Sequence, residues 1–533
     1  MQNDWPGTVL LLRRATHVTA PSTPLPGAPP AIPAPPSPQS PPDLRELDRS
    51  LLRGIAWTSG AKWAGQILAW ASTLIVARLL TPEDYGLVGM ASVYLGLITL
   101  ASEFGLGSAV VTLRNLSDAR VAQLNGLSIL FGVASFALSC AAAQPLGRFF
   151  HASQLPAVVI AMSGAFVITG FKTVPFALLQ RDLRFRVLAV VETGRAVILA
   201  AAMIGFALLG LRYWTLVIGG LLSSLLSTAA TLAVRRHRIA WPRRGHTDDA
   251  IKFSAHVLIG RLSWYTYTNA DFLVAGRVLG SGALGLYEIG WNLANIPLDR
   301  ITSLVAQVTP PIFAAVQHDL SALRRYLLSI TEALAFVTLP ASVGMALVAR
   351  DFVLFALGDK WSGAIVPLQL LALSVAFRSV TPLLPQVLYA IGEYRLAVRY
   401  GVLCAVVLPP AFLVGAKWLG TAGLAVAWLL VFPAVTVPAY RRVLERIELR
   451  SRDYLLAFWP AASASVVMAV VLVLVQISLA GRVARGPSFA IQVSVGAVAY
   501  AAGCLAFHAR RVRVFAAVLR NLRTPSVPAA ETV

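Results

Sequence analysis

The sequence predicts an all-α polytopic membrane protein of about 14 transmembrane helices, two pseudo-symmetric six-helix bundles followed by two C-terminal helices. Three observations lead there. The 533-residue chain is 57% apolar and only 13% charged, with a mean hydropathy of +0.71, whereas soluble domains run at roughly 45–50% apolar and about 25% charged. From residue 54 onward, apolar runs of about 20 residues, the length that crosses a bilayer, alternate with short polar connections. The chain also resembles itself at an offset of 199, which pairs Arg78 with Arg277 and Gly86 with Gly285.

Residues 1–53 are set apart. Half of the residues from Pro21 to Pro42 are proline, and such a segment buries too little apolar surface to offset chain entropy, so a disordered cytoplasmic tail is expected. It has no long apolar core with a small-residue cleavage site, as a signal peptide needs. Spans are expected near 55–77, 85–108, 121–143, 156–178, 187–209 and 213–234, making an N-terminal lobe at 54–240. A cytoplasmic linker at 241–252 leads to a second lobe at 253–442, with spans near 253–275, 283–308, 327–349, 363–388, 396–415 and 419–440. Two last spans, near 457–479 and 487–508, fall in 443–510, and 511–533 is a cytoplasmic tail.

Charge orients these spans. The 45 Lys and Arg against 24 Asp and Glu give a formal net charge of +21. The basic residues punctuate apolar runs and form no contiguous basic domain, which excludes a nucleic-acid partner. With the N-terminus in the cytoplasm, 30 cations fall on cytoplasmic segments and nine on external ones. That is the positive-inside distribution, and it puts both termini in the cytoplasm. Clusters such as Arg235, Arg236 and Arg238 are then topology determinants that meet the head groups of membrane lipids. Six cations remain inside spans: Lys62, Lys172, Arg195, Arg261, Arg300 and Arg378. Each costs about 2.5–3.5 kcal/mol at a helix centre, so each needs a reason to be there.

The repeat and the polar stripes point to one. Lys62 and Arg261 are repeat mates, and both halves start from the same side of the membrane, as in transporters whose substrate sites lie between parallel repeats. The eighth span carries Glu288, Asn292, Asn295, Asp299 and Thr302 at helical spacing, with Arg300 to one side. The seventh carries Arg261, Tyr265 and Thr268, ending at Asp271; the first aligns Lys62, Gln66 and Thr73, and the second Ser92, Thr99 and Glu103. These four spans are expected to line one central cavity. Lys62 and Arg261, with Lys172, Arg300 and Arg378, would bind an anionic head group there, since guanidinium donates paired hydrogen bonds to phosphate or carboxylate. Internal ion pairing is the competing role, as between Arg195 and Glu192 or between Arg300 and Asp299 or Glu288. Asp271, Glu288 and Glu103 are candidates for a coupling proton or Na⁺ and equally for partners to those cations.

Enzymatic chemistry has little support. Walker A, HEXXH and GXSXG sequences are absent, the seven histidines are scattered, and Cys140, Cys404 and Cys504 each sit in an apolar run. No cofactor or metal is expected.

The segment 54–114, with ARLLTPEDYGLVGMASV and EFGLGSAVVTLRNLS, the segment PFALLQRDLRFRVLAVVE at 175–192, and DFLVAGRVLGSGALGLYEIGWNLANIP at 271–297 resemble bacterial polysaccharide-repeat flippases. These belong to the multidrug/oligosaccharidyl-lipid/polysaccharide exporter superfamily, in the colanic-acid-exporter-like branch. The resemblance covers roughly residues 50–450. The sequence departs from the pattern in its proline-rich tail and in having Gly-Ser-Gly-Ala at 280–283 where the first half has Thr-Pro-Glu-Asp. The resemblance implies a bacterial inner-membrane carrier that moves an undecaprenyl-diphosphate-linked oligosaccharide outward by ion-coupled alternating access, beside a polysaccharide polymerase and export machinery. A peptidoglycan-precursor flippase and a multidrug or cation antiporter are the alternatives on the same fold.

Overall fold

The computed structural model describes residues 70–103, 117–241 and 264–523, with residues 68, 107, 110, 111 and 262 singly between them. Residues 1–53 and the candidates Lys62, Gln66 and Arg261 lie outside the described residues, as do the side chains of Glu103, Asp299 and Arg300. All described elements belong to one unit, Ala56–Val533. Every regular element among them is helical, as a bilayer requires, because backbone polar groups without water must be satisfied inside their own segment. Ten described stretches are long and apolar enough to cross a membrane; this is a multi-pass membrane protein.

The helices are α1 (Trp70–Leu79), α2 (Pro82–Glu103), α3 (Asp118–Phe150), α4 (Leu155–Arg181), α5 (Phe185–Leu208) and α6 (Trp214–Val234). The second half begins with α7 (264–279), whose last turn is the π-helix Ala275–Leu279, followed by α8 (Gly280–Ala315) and α9 (Leu320–Phe352). α10 (Ile365–Arg378), α11 (Leu383–Ala390), α12 (Tyr394–Val426), α13 (Phe432–Arg446), α14 (Ser451–Leu456), α15 (Trp459–Leu479) and α16 (Arg485–Arg523) complete the chain. The stretch Tyr394–Arg446 is 53 residues long, about 80 Å of helix at 1.5 Å per residue against a hydrocarbon core of roughly 30 Å. It reverses at Gly420, whose φ of 62° and ψ of −137° leave the helix, so it holds two spans.

Local chemistry sets the boundaries. Thr81 and Asp84 form a capping box at the start of α2: Thr81 N–H and Oγ1 donate to Asp84 Oδ2 at 3.0 Å, and Asp84 N–H donates back to Thr81 Oγ1 at 3.3 Å. Pro82 takes the first helical position, where its missing N–H costs nothing. Thr81→Ala is expected to lower stability by about 1 kcal/mol, and Asp84→Ala by more, because buried Asp84 also lies 3.4 Å from Arg212. Unfolding of the purified protein in a graded SDS titration measures both, and equal effects would show that the Arg212 pair adds nothing. At α9, Asp319 Oδ1 accepts from the Ser321 hydroxyl, the Ser321 amide and the Ala322 amide. Those bonds, led by the hydroxyl, hold its carboxyl below the usual carboxylate range.

The two halves meet where the repeat is strongest. α2 packs along α8, and at their crossing a Cβ on Gly86 would lie 1.7 Å from the Ser281 carbonyl oxygen, and one on Gly285 would lie 1.8 Å from that of Pro82. The repeat-related glycines are thus each other's clearance, the small-residue contact by which membrane helices approach closely. The same crossing explains the Gly-Ser-Gly-Ala departure. Gly280 has a φ of 87°, which side chains avoid, and Ser281 must present its bare carbonyl to Gly86. The last two long helices, α15 and α16, pack together and against α9.

One expected span is divided. The run at 363–388 forms α10 and α11, with a corner at 379–382. Pro382, the cap of α11, lacks an N–H and biases Thr381 away from helical backbone. Around this corner Arg378, Thr381 and Gln386 line one cavity.

Candidate functional site

A cavity of about 760 Å³ opens there. α2 contributes Gly89, Ser92 and Val93; α7 contributes Trp264, Tyr267, Thr268, Asn269 and Phe272; α8 contributes Glu288, Trp291, Asn292 and Asn295. Arg378 and Gln386 come from α10 and α11, and Tyr400, Trp428 and Phe432 from the Tyr394–Arg446 hairpin. The stripe read on α8 therefore faces the cavity at Glu288, Asn292 and Asn295, and the described parts of α2 and α7 face it too.

Arg378 is held between two indoles. Its Cζ lies 4.1 Å from the centre of the Trp291 ring and 4.7 Å from that of Trp428. A planar guanidinium suits such flat faces. Trp291 and Trp428 lie 5.4 Å apart, and Phe272 sets its edge toward Trp291 and Tyr287 at 5.5 Å. These contacts position Arg378 before any ligand arrives.

Trp428 also serves the buried acid. Asp271 is fully buried; its Oδ2 accepts from Tyr287 Oη and Trp428 Nε1, both at 2.7 Å, and its Oδ1 accepts from the Phe272 amide at 2.9 Å. One indole thus donates to Asp271 through its edge and supports Arg378 on its face. Irregular turns lie close to both residues: the π-helix Ala275–Leu279 begins four residues after Asp271, and Trp428 lies within the π-helix Ala427–Val431. Such turns redirect side chains off the regular helical register. Glu288 occupies the space left by Gly89, where a Cβ would come within 2.4 Å of its Oε2, and that oxygen is buried with no hydrogen-bond partner among the described residues. Asn295 donates to the Trp291 carbonyl at 2.8 Å and is buried, whereas Asn292 is exposed to the cavity.

Lys172 is elsewhere. In the first half its Nζ lies 3.0 Å from Glu192 Oε1 and 2.7 Å from Ser227 Oγ, while Arg195 Nε meets Glu192 Oε2 at 2.9 Å. Two intramembrane cations therefore share one acid, joining α4, α5 and α6. The site candidates legible in the sequence do not include Trp291, Trp428 and Tyr287. Trp291 had a visible sign, lying within the α8 stripe between Glu288 and Asn295; Trp428 had none, because nothing in an apolar run shows which ring meets a distant arginine.

Residues 75–366, more than half of the chain, match the family described as polysaccharide biosynthesis protein. The chain belongs to that family. Its relatives include the lipopolysaccharide biosynthesis protein WzxC of Escherichia coli (strain K12), 26% identical over 75% of this chain and 84% of the relative. The succinoglycan biosynthesis transport protein ExoT of Rhizobium meliloti (strain 1021) is 24% identical over 75% of this chain and 81% of its own. Among solved structures, the lipid II flippase MurJ in an inward closed conformation superposes with a TM-score of 0.68 at 14% identity, over 86% of this chain and all of the flippase. An inward-facing multidrug-resistance MATE transporter of the MOP superfamily superposes with a TM-score of 0.55 at 16% identity, over 72% of this chain and 94% of the transporter. The fold is that of the MOP superfamily.

Proposed function

We propose that this member of the polysaccharide biosynthesis family is a flippase. It carries a lipid-linked oligosaccharide, a sugar repeat on undecaprenyl diphosphate, across the bacterial inner membrane for surface polysaccharide synthesis. The observation that carries the reading is Arg378, a cation kept in the membrane at the wall of a cavity that is both polar and aromatic. Arg378 binds the diphosphate, Asn292, Thr268 and Gln386 bond the sugar hydroxyls, and the lipid tail stays in the bilayer. Lys62, Arg261 and Arg300 add to the cationic wall, and Lys172 with Arg195 and Glu192 holds the first lobe together.

Asp271 is the coupling site for a proton or Na⁺, with Glu288, Asn295, Asp299, Glu103 and Gln66 as further polar groups of the same pathway. The lobes at 54–240 and 253–442 rock against each other at the α2–α8 crossing, and the pair in 443–510 travels with the second. Both termini lie in the cytoplasm, the orientation supported by 30 cations on one side against nine on the other. Deleting the gene is expected to abolish a surface glycan and to accumulate lipid-linked repeat units on the cytoplasmic leaflet, measured by glycan staining and by lipid extraction. Normal glycan with altered drug resistance would replace this reading by that of a multidrug antiporter.

A further inference from the structure

Arg78 and Arg277, 199 residues apart in the repeat, each reach from one half of the molecule to the other. Arg78, at the corner between α1 and α2, donates to the carbonyls of Phe355 and Ala356, the latter at 2.7 Å. Lys360 and Trp361 return bonds to the carbonyls of Arg78 and Ala77 at 2.7 and 2.8 Å. Arg277 Nη1 lies 2.6 Å from His151 Nδ1 and 3.3 Å from its Nε2, donating to whichever ring nitrogen carries no proton, with its Cζ 5.3 Å from the Phe149 ring. The acceptors occupy matching places, since 355–356 follow α9 and His151 follows α3. Their chemistry differs. A carbonyl accepts at every pH, whereas an imidazole nitrogen accepts only while it carries no proton, and histidine is the side chain that changes charge between pH 5 and 8.

We propose that His151 is a proton-binding site that governs closure of the external end of the transport pathway; this rests on the carrier reading and on its orientation. The backbone at His151 is held in place: it caps α3 in a left-handed conformation, φ 55°, with its amide donating to the Arg148 and Gly147 carbonyls of the last turn. It lines a cavity of about 480 Å³ with Glu83 and Asp84 of α2, Arg212 and Tyr213 of the α5–α6 connection, and Arg277. Arg148 belongs to its own helix. Asp84 is committed to Thr81 and to Arg212, which leaves Glu83 as the acid at hand when the pair breaks. A proton on Nδ1 replaces a hydrogen bond by two cations facing each other, so one clamp releases while the Arg78 clamp is indifferent to pH.

The test uses the full chain in membrane vesicles, with Cys140, Cys404 and Cys504 replaced by alanine. Met90, 1% exposed and lining the same cavity, becomes the reporter as Met90→Cys, and labelling by a membrane-impermeant thiol reagent is normalised to exposed Ser153→Cys at each pH. With acid on the external side, labelling at pH 5.5 is expected to exceed that at pH 7.5 at least threefold. His151→Asn keeps an acceptor near the Nδ1 position and tolerates left-handed backbone, so its labelling should stay low at both pH values. His151→Arg, always cationic, should label fast at both. The same pH rise in His151→Asn, or no rise in the parent, would overturn the proposal, as would a response to acid on the other side only. Gated labelling together with an unchanged surface glycan after gene deletion would overturn the flippase reading and leave the proton site standing.

Discussion

Arg378→Ala is expected to cut glycan export at least tenfold at normal membrane expression, and Arg378→Lys to restore only part of it. A hydrogen bond to a charged group contributes about 1.5–3 kcal/mol, and 1.4 kcal/mol is about a factor of ten, so loss of the guanidinium predicts a drop of roughly ten- to a hundredfold. Lysine keeps the charge but is a compact ammonium on a flexible stem; it cannot lie flat between Trp291 and Trp428. Trp428→Phe should fall between the two, since it keeps a ring beneath Arg378 but removes the N–H donated to Asp271. Export is read as surface glycan per cell alongside protein quantified in the membrane. Wild-type export by the alanine variant would remove Arg378 from the site.

Gly285→Val is expected to prevent assembly of the two halves. Its Cβ alone would sit 1.8 Å from the Pro82 carbonyl oxygen, and backbone on both sides of the crossing leaves no flexible side chain to give way. Overpacking in a tight core typically costs about 1–3 kcal/mol; here whole helices must separate, and the cost belongs at or above the upper end. Gly86→Val should behave alike, because its Cβ meets the Ser281 carbonyl at 1.7 Å. Gly205→Ala is the control: nothing lies within 4 Å of its added Cβ, and alanine in a helix is favoured by about 1 kcal/mol over glycine. Yield and unfolding of the purified variants in an SDS titration distinguish them, and a well-folded Gly285→Val protein would contradict the close crossing.

Much of this protein is determined by local sequence. Spans follow from apolar length, because a bilayer accepts only segments that satisfy their own backbone. The TPED corner declares the start of α2, since Thr81, Pro82 and Asp84 act within one turn. The stripe of Glu288, Asn292 and Asn295 is legible as one face because several polar residues share a helical period, and that face does meet the cavity. Isolated cations are different. Lys172 and Arg378 are each an isolated charge in an apolar run, with no periodicity to say toward what the face turns. Only the tertiary structure set one against Glu192 and Ser227 and the other between Trp291 and Trp428. The reason is physical: sequence periodicity defines which residues share a face, whereas the rotation of each helix against its neighbours is decided by packing across the whole bundle, such as the contact of Gly86 with Gly285.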